Sequence, residues 1–181
     1  MRIISGKHKG KRLTAPKKLP VRPTTDMAKE AIFNILNNLY YFHEISVLDL
    51  FAGTGNISFE FASRGTERII SVDKHYACAS FIEKTSNELD FPIQTIKSDV
   101  FSYLEKVKHQ HNIIFSDPPY DFEAEQFLKI ADLVFENNLL EKEGTLVIEH
   151  SKHTLLEEHP KFSYSKRYGG SVFSFFEADN E

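Results

Sequence analysis

The sequence predicts an α/β domain: a mainly parallel sheet with helices on both faces. Three observations carry that prediction. From Ile45 onward, short apolar runs alternate with segments of helical period. Four of those runs close on an aspartate: Asp49, Asp73, Asp99 and Asp117. The first run leads straight into a glycine turn, Gly53-Thr54-Gly55. Repeated β-α units bury their strands on both faces, and ligands bind beyond the carboxyl ends of such strands. The four aspartates should therefore share one edge. A chain of 181 residues fits one core, and 41% apolar against 27% charged excludes a disordered chain.

Residues 1–22 read as a basic arm. RIISG and KRLTAP form a short hairpin that turns near Gly6 and Gly10. The body is expected over 23–181. Thr24, Thr25 and Asp26 are N-cap types, and Ala31, Ile32, Ile35, Leu36 and Leu39 then recur at helical spacing. Strands are expected at 46–51, 68–73, 92–99, 112–117 and 144–150. Helices are expected at 56–65, 76–90, 100–108 and 123–137. KFSYSKRY and SVFSFFE flank Gly169-Gly170 and read as a closing antiparallel hairpin.

Charge is unevenly distributed. Residues 1–25 hold eight cations, among them Lys7, Lys9, Lys11, Arg12 and Arg22, and no acid. Against a net charge of −4, that leaves −12 on the remainder. A basic arm on an acidic body suggests a polyanionic partner. No apolar run reaches the roughly 18 residues of a membrane span. No apolar signal core follows the basic start, and a single cysteine, Cys78, gives no internal disulfide. A cytoplasmic protein without a membrane role is expected.

DLFAGTGN, Asp49 to Asn56, lets the backbone turn tightly and approach a ligand. A dinucleotide fold would carry a third glycine where Ser58 stands, and a triphosphate loop would carry a lysine. Asp73 follows Gly55 by 18 residues, where a carboxylate can accept from both ribose hydroxyls. Asp99 can accept from an adenine amino group. These acids fit a nucleoside with an amino-acid tail, and Asp49 suits a positive sulfonium: S-adenosylmethionine.

NIIFSDPPY ends a strand on an acid and two prolines. Residues before proline are held extended, and Pro118 also fixes its own φ. The Asp117 carboxylate and the Pro118 carbonyl, ahead of Pro119, are then two fixed acceptors for an –NH2 group. Tyr120 can stack on the planar base that bears it. Hydrogen bonds to both amine hydrogens favour a pyramidal nitrogen with its lone pair aimed at the methyl donor.

DLFAGTGN, SVDK, KSDV and DPPY, in that order, resemble a class I S-adenosylmethionine-dependent methyltransferase. RIISGKHKGKRL and RPTTDMAKEAIFNIL narrow the resemblance to the RsmD family, which methylates the exocyclic amino group of one guanine in 16S ribosomal RNA. The resemblance implies a Rossmann-like fold of seven strands with an N-terminal β-hairpin extension, and the small ribosomal subunit as partner. It implies that Asp117, Pro118, Pro119 and Tyr120 hold the base. Asp49, Phe51, Ala52, Gly53, Thr54, Gly55, Asn56, Asp73, Lys74, Asp99 and Val100 would hold the cofactor, with Arg22 and Thr24 closing over it. Lys7, His8, Lys9, Lys11 and Arg12 are the expected RNA contacts. His8 stands where the family often has an aromatic ring, and Ser58 where it often has glycine.

Other readings are a DNA amino methyltransferase, a glutamine-modifying protein methyltransferase and a non-catalytic ribosome assembly factor. The first usually needs a separate recognition region, and the second favours Asn at the position of Asp117. The third would have lost Asp117 or the glycine loop. Cys78 is misplaced for a cytosine-5 nucleophile. The pairs His109/His111 and His150/His153 lack a third ligand, so no metal is expected.

Overall fold

The structure, a computed structural model, describes residues 1–22 and 24–178. Helix α1 (Asp26–Leu39) precedes β1 (Ser46–Leu50), α2 (Asn56–Ser63), β2 (Arg68–Asp73), α3 (Tyr76–Leu89) and β3 (Ile93–Lys97). Helix α4 (Val100–Lys106), β4 (His111–Ser116), α5 (Ala124–Glu136), β5 (Leu140–Ser151), β6 (Phe162–Tyr168) and β7 (Ser171–Glu177) follow. The strands form one seven-stranded sheet in the order β3-β2-β1-β4-β5-β7-β6. Strands β1 to β5 run parallel, and β7 pairs antiparallel with both β5 and β6. The order reverses between β1 and β4, which opens a crevice at their carboxyl ends.

Two cores sandwich the sheet. Alternation sends Val47, Ile113, Phe115, Val147, Phe173 and Phe175 to the face covered by α1, α2 and α3. Leu48, Leu50, Ile114, Leu146, Ile148 and Phe176 go to the face covered by α4 and α5. Thr25 caps α1 by accepting from the Ala28 N–H at 3.2 Å.

Two expectations change. β5 begins at Leu140, four residues early, because Leu140 pairs with His111 across a bulge. Glu143 takes a positive φ of 61° within the strand. The arm is a hairpin with a single bridge, Arg2 to Arg12, rather than two strands. Side-chain and backbone contacts with α2 hold it instead. Glu60 accepts from the Ile4 and Ser5 N–H groups at 2.9 and 3.0 Å, and the Ser63 carbonyl accepts from the Lys7 N–H at 2.7 Å.

Candidate active site

A cavity of about 460 Å³ lies at the carboxyl ends of the central strands. That is within the range of small-molecule sites, roughly 300–1,000 Å³. Asp49, Asp73, Asp99 and Asp117 all line it, with Arg22, Thr24, Phe51, Ala52, Gly53, Thr54, Asn56, Lys74, Val100, Pro118, Pro119 and Tyr120. The expected edge of acids exists because Asp49 and Asp73 lie in the last two positions of β1 and β2, and Asp99 and Asp117 just beyond β3 and β4, at the same crevice.

Each acid is held differently. Asp73 accepts from the Gly53 N–H at 2.9 Å through Oδ2 and from the His75 N–H at 2.9 Å through Oδ1. The glycine loop is thus tied to the second strand. Asp49 is 2% exposed and accepts from the Ser58 hydroxyl at 2.6 Å. Burial pushes the Asp49 carboxyl up to about 7, Ser58 pulls it back, and the neighbouring Asp73 raises it. Ser58 therefore steadies a cavity acid, a role beyond helix packing. Asp99 caps α4 by accepting from the Ser102 N–H at 3.0 Å, and lines the cavity as well.

The glycines divide the work. Gly53, at φ +56°, lines the cavity, and a Cβ there would come within 3.1 Å of Val21. Gly55 does not line it. At φ +77° it precedes α2, and a Cβ would sit 2.9 Å from Ile82. Gly55 serves the turn into α2 and its packing.

Asp117 follows the last residue of β4 and makes no side-chain hydrogen bond among the described residues. Desolvation in the cavity, with Glu149 and Asp49 beside it, pushes its carboxyl well up, and Arg22 lowers it. The Tyr120 hydroxyl pairs with the Ser171 hydroxyl at 3.3 Å, and Arg22 lies over the ring.

Pro20, Val21, Ile57, His75, Phe122 and Glu149 also line the cavity and carry no sequence signal of their own. Phe122 packs edge-on to Phe51 at 5.6 Å and stacks on Phe101 at 6.1 Å, giving an apolar wall beside Val100. The DPPY tetrad could have pointed to Phe122, two residues on. Nothing local points to Glu149.

The donor set fits the expected cofactor. Several carboxylates face a cavity whose lining cations are Arg22 and Lys74, and an apolar wall stands on one side. Asp73 has acceptor capacity beyond its present donors. That is a site for a cationic nucleoside.

The family model described as Conserved hypothetical protein 95 matches residues 1–177. A Bacillus subtilis protein provisionally named rRNA methyltransferase YlbH is 37% identical over 164 residues, covering 87% of this chain and 86% of the relative. Ribosomal RNA small subunit methyltransferase D of Haemophilus influenzae is 30% identical over 158 residues, covering 84% and 79%. The chain belongs to the RsmD family. Its fold also matches an Escherichia coli structure described as a provisional methyltransferase, at TM-score 0.86 and 26% identity over 100% of this chain and 99% of that one.

Within this RsmD-family chain Lys7, His8, Lys9, Lys11 and Arg12 do not line the cavity, whereas Pro20, Val21 and Arg22 at the end of the arm do. Lys7, Lys9, Lys11 and Arg12 are exposed. The His8 ring is turned inward, edge-on to Phe91 at 5.1 Å. The arm's exposed cations face solvent, whereas His8 is half-buried with its Nε2 covered. Asp73, His75 and Cys78 place ligand atoms within 4.8 Å of one another. His75 is hydrogen-bonded to Asp73 at 3.1 Å, and the Cys78 thiol is pushed up to about 11 by burial. The cluster thus reads as part of the Asp73 pocket. The His150 ring nitrogens are engaged by Ser174 and the Ser151 carbonyl. No helix among the described residues is long and apolar enough to cross a membrane.

Proposed function

We propose that this chain transfers a methyl group from S-adenosylmethionine to the exocyclic amino group of a guanine in 16S ribosomal RNA, within an assembled or assembling small subunit in the cytoplasm. The observation that carries this reading is the position of Asp117, Pro118 and Tyr120 on the wall of the same cavity that holds Asp49, Asp73 and Asp99. Residues 1–22 act as the RNA-contacting arm, and 23–181 as the methyltransferase body.

When bound, the cofactor supplies an electrophilic methyl group. Asp73 and Asp99 orient its nucleoside, and Asp49 complements its positive sulfur. The Asp117 carboxylate and the Pro118 carbonyl accept from the two amine hydrogens, and Tyr120 stacks on the base. As the amine nitrogen gains a methyl it sheds a proton, which Asp117 Oδ accepts. The raised affinity of Asp117 for a proton suits that role. Positioning supplies the rest.

The span between β4 and β5 is filled by α5 and its flanking turns. No separate recognition region of the DNA-modifying kind stands there. Mass mapping of ribosomal RNA from cells with and without the protein tests the proposal. One methyl on one 16S guanine should vanish; unchanged maps would overturn it.

A further inference from the structure

We propose that Glu149 reads the ring N–H of the target guanine and so selects guanine among the bases that carry an amino group. The inference rests on the reading that Asp117 and Pro118 hold the exocyclic amine.

Glu149 is 2% exposed, yet it borders the cavity. Ser116 on β4 is opposite Ile148 on β5, so Asp117 and Glu149 follow as neighbours on adjacent parallel strands. Each lies two residues beyond a side chain of the same face, Phe115 and Val147. The two side chains therefore leave neighbouring strands on one side, from backbones about one strand spacing apart, roughly 4.8 Å. Thr24 Oγ1 donates to Glu149 Oε2 at 2.9 Å, from a segment 125 residues away. The Ser171 hydroxyl, which pairs with Tyr120 at 3.3 Å, also favours the ionised form of Glu149. The segment before α1 thus holds one Glu149 oxygen. Glu149 makes no ion pair within 4.0 Å among the described residues. A desolvated acid without such a partner is expensive to keep unless it serves a ligand.

Base chemistry decides which ligand. Guanine, adenine and cytosine all carry an exocyclic amine. Only guanine has a ring N–H beside it: its N1 is a donor. The flanking ring nitrogens of adenine and cytosine, N1 and N3, are acceptors. A carboxylate one strand from the amine clamp accepts from guanine N1–H and repels a lone pair in that place. Hydrogen-bonding sites reject analogues that lack the bonded group by about 10⁴–10⁵.

The test is single-turnover methyl transfer to small subunits reconstituted with guanosine or 2-aminopurine at the target nucleotide. 2-Aminopurine keeps the amine but offers an acceptor at N1. Wild-type enzyme should prefer guanosine by about 10³ or more. Glu149→Gln can donate to the analogue through its amide N–H, so the analogue-to-guanosine ratio should rise at least about tenfold while transfer to guanosine falls. Calorimetric cofactor affinity reports whether the variant is folded. If it is not, Thr24→Val, which frees the carboxylate to turn, should raise the ratio in the same direction. A ratio unchanged in the folded variant overturns the proposal. Wild-type enzyme that transfers nothing to guanosine subunits would instead strike the proposed function itself.

Discussion

The guanidinium of Arg22 lies 4.0 Å from the centroid of the Tyr120 ring. A cation thus covers one face of the aromatic ring assigned to the target base. The same charge lowers the proton affinity of both Asp117 and Glu149. Arg22→Ala removes that charge, so both carboxyls should ionise at higher pH. The acidic limb of the pH–rate profile for methyl transfer should move to higher pH, and Arg22→Lys should restore it. A limb that stays in place in Arg22→Ala would show that Arg22 acts by shape alone.

Asp49 leads to a pH dependence of cofactor choice. Its folded-state value of about 7 stands above the ordinary aspartate value near 3.9. Between those values the folded protein holds a proton that the unfolded chain has released. The stability of the free protein therefore falls as pH rises through this window. Ionised Asp49 attracts a sulfonium but not the neutral sulfur of S-adenosylhomocysteine. Preference for S-adenosylmethionine should grow from pH 6 to pH 8, by up to about tenfold as the ionised fraction rises. Calorimetry with both ligands measures it. Asp49→Asn should abolish the pH dependence, and a preference flat in wild type would contradict the assignment.

Glu60 fastens the arm. It is fully buried and takes the Ile4 and Ser5 N–H groups, Arg64 at 2.8 Å and Lys29 at 3.3 Å. Lys29 is 1% exposed and also donates to Asn56 at 2.8 Å. Glu60→Ala would strand a buried lysine and free the arm. Breaking such a pair costs about 3–5 kcal/mol. Denaturant unfolding should show that loss, and limited proteolysis should cut within 1–22 sooner. Wild-type stability in this variant would mean that the contacts add nothing.

The exposed arm cations should carry phosphate affinity and no stability. Each phosphate contact on single-stranded RNA adds about 0.7 to the log–log salt slope. Replacing Lys7, Lys9, Lys11 and Arg12 with alanine should flatten that slope and leave cofactor affinity unchanged. An unaltered slope would leave the arm a solvated hairpin.

The acids of the site were legible in the sequence because each lies at or within two residues of a strand's end, and parallel topology gathers strand ends. DPPY was legible because proline dictates its own backbone. Glu149 was not: VIEH reads as a strand carrying one acid, and its meaning lies in register with Asp117 and in a bond to Thr24 from 125 residues away. Ser58 read as a lost glycine, since only the fold brings its hydroxyl to Asp49. The arm's attachment to Glu60 was hidden because its donors are backbone N–H groups, which leave no mark in sequence.

The central claim is that Asp117 presents an acceptor to the target amine. Its side chain makes no hydrogen bond among the described residues, so truncation strands no partner. Asp117→Ala should therefore fold and keep most of its cofactor affinity. Loss of one preorganised polar contact commonly costs about 10²–10³ in rate. Asp117→Asn, which keeps one acceptor oxygen, should fall less far. Single-turnover transfer of labelled methyl to small ribosomal subunits is the direct measurement. The account predicts a drop of about 10² or more for Asp117→Ala with cofactor still bound; a near wild-type rate would contradict it and leave the two prolines as a rigid turn.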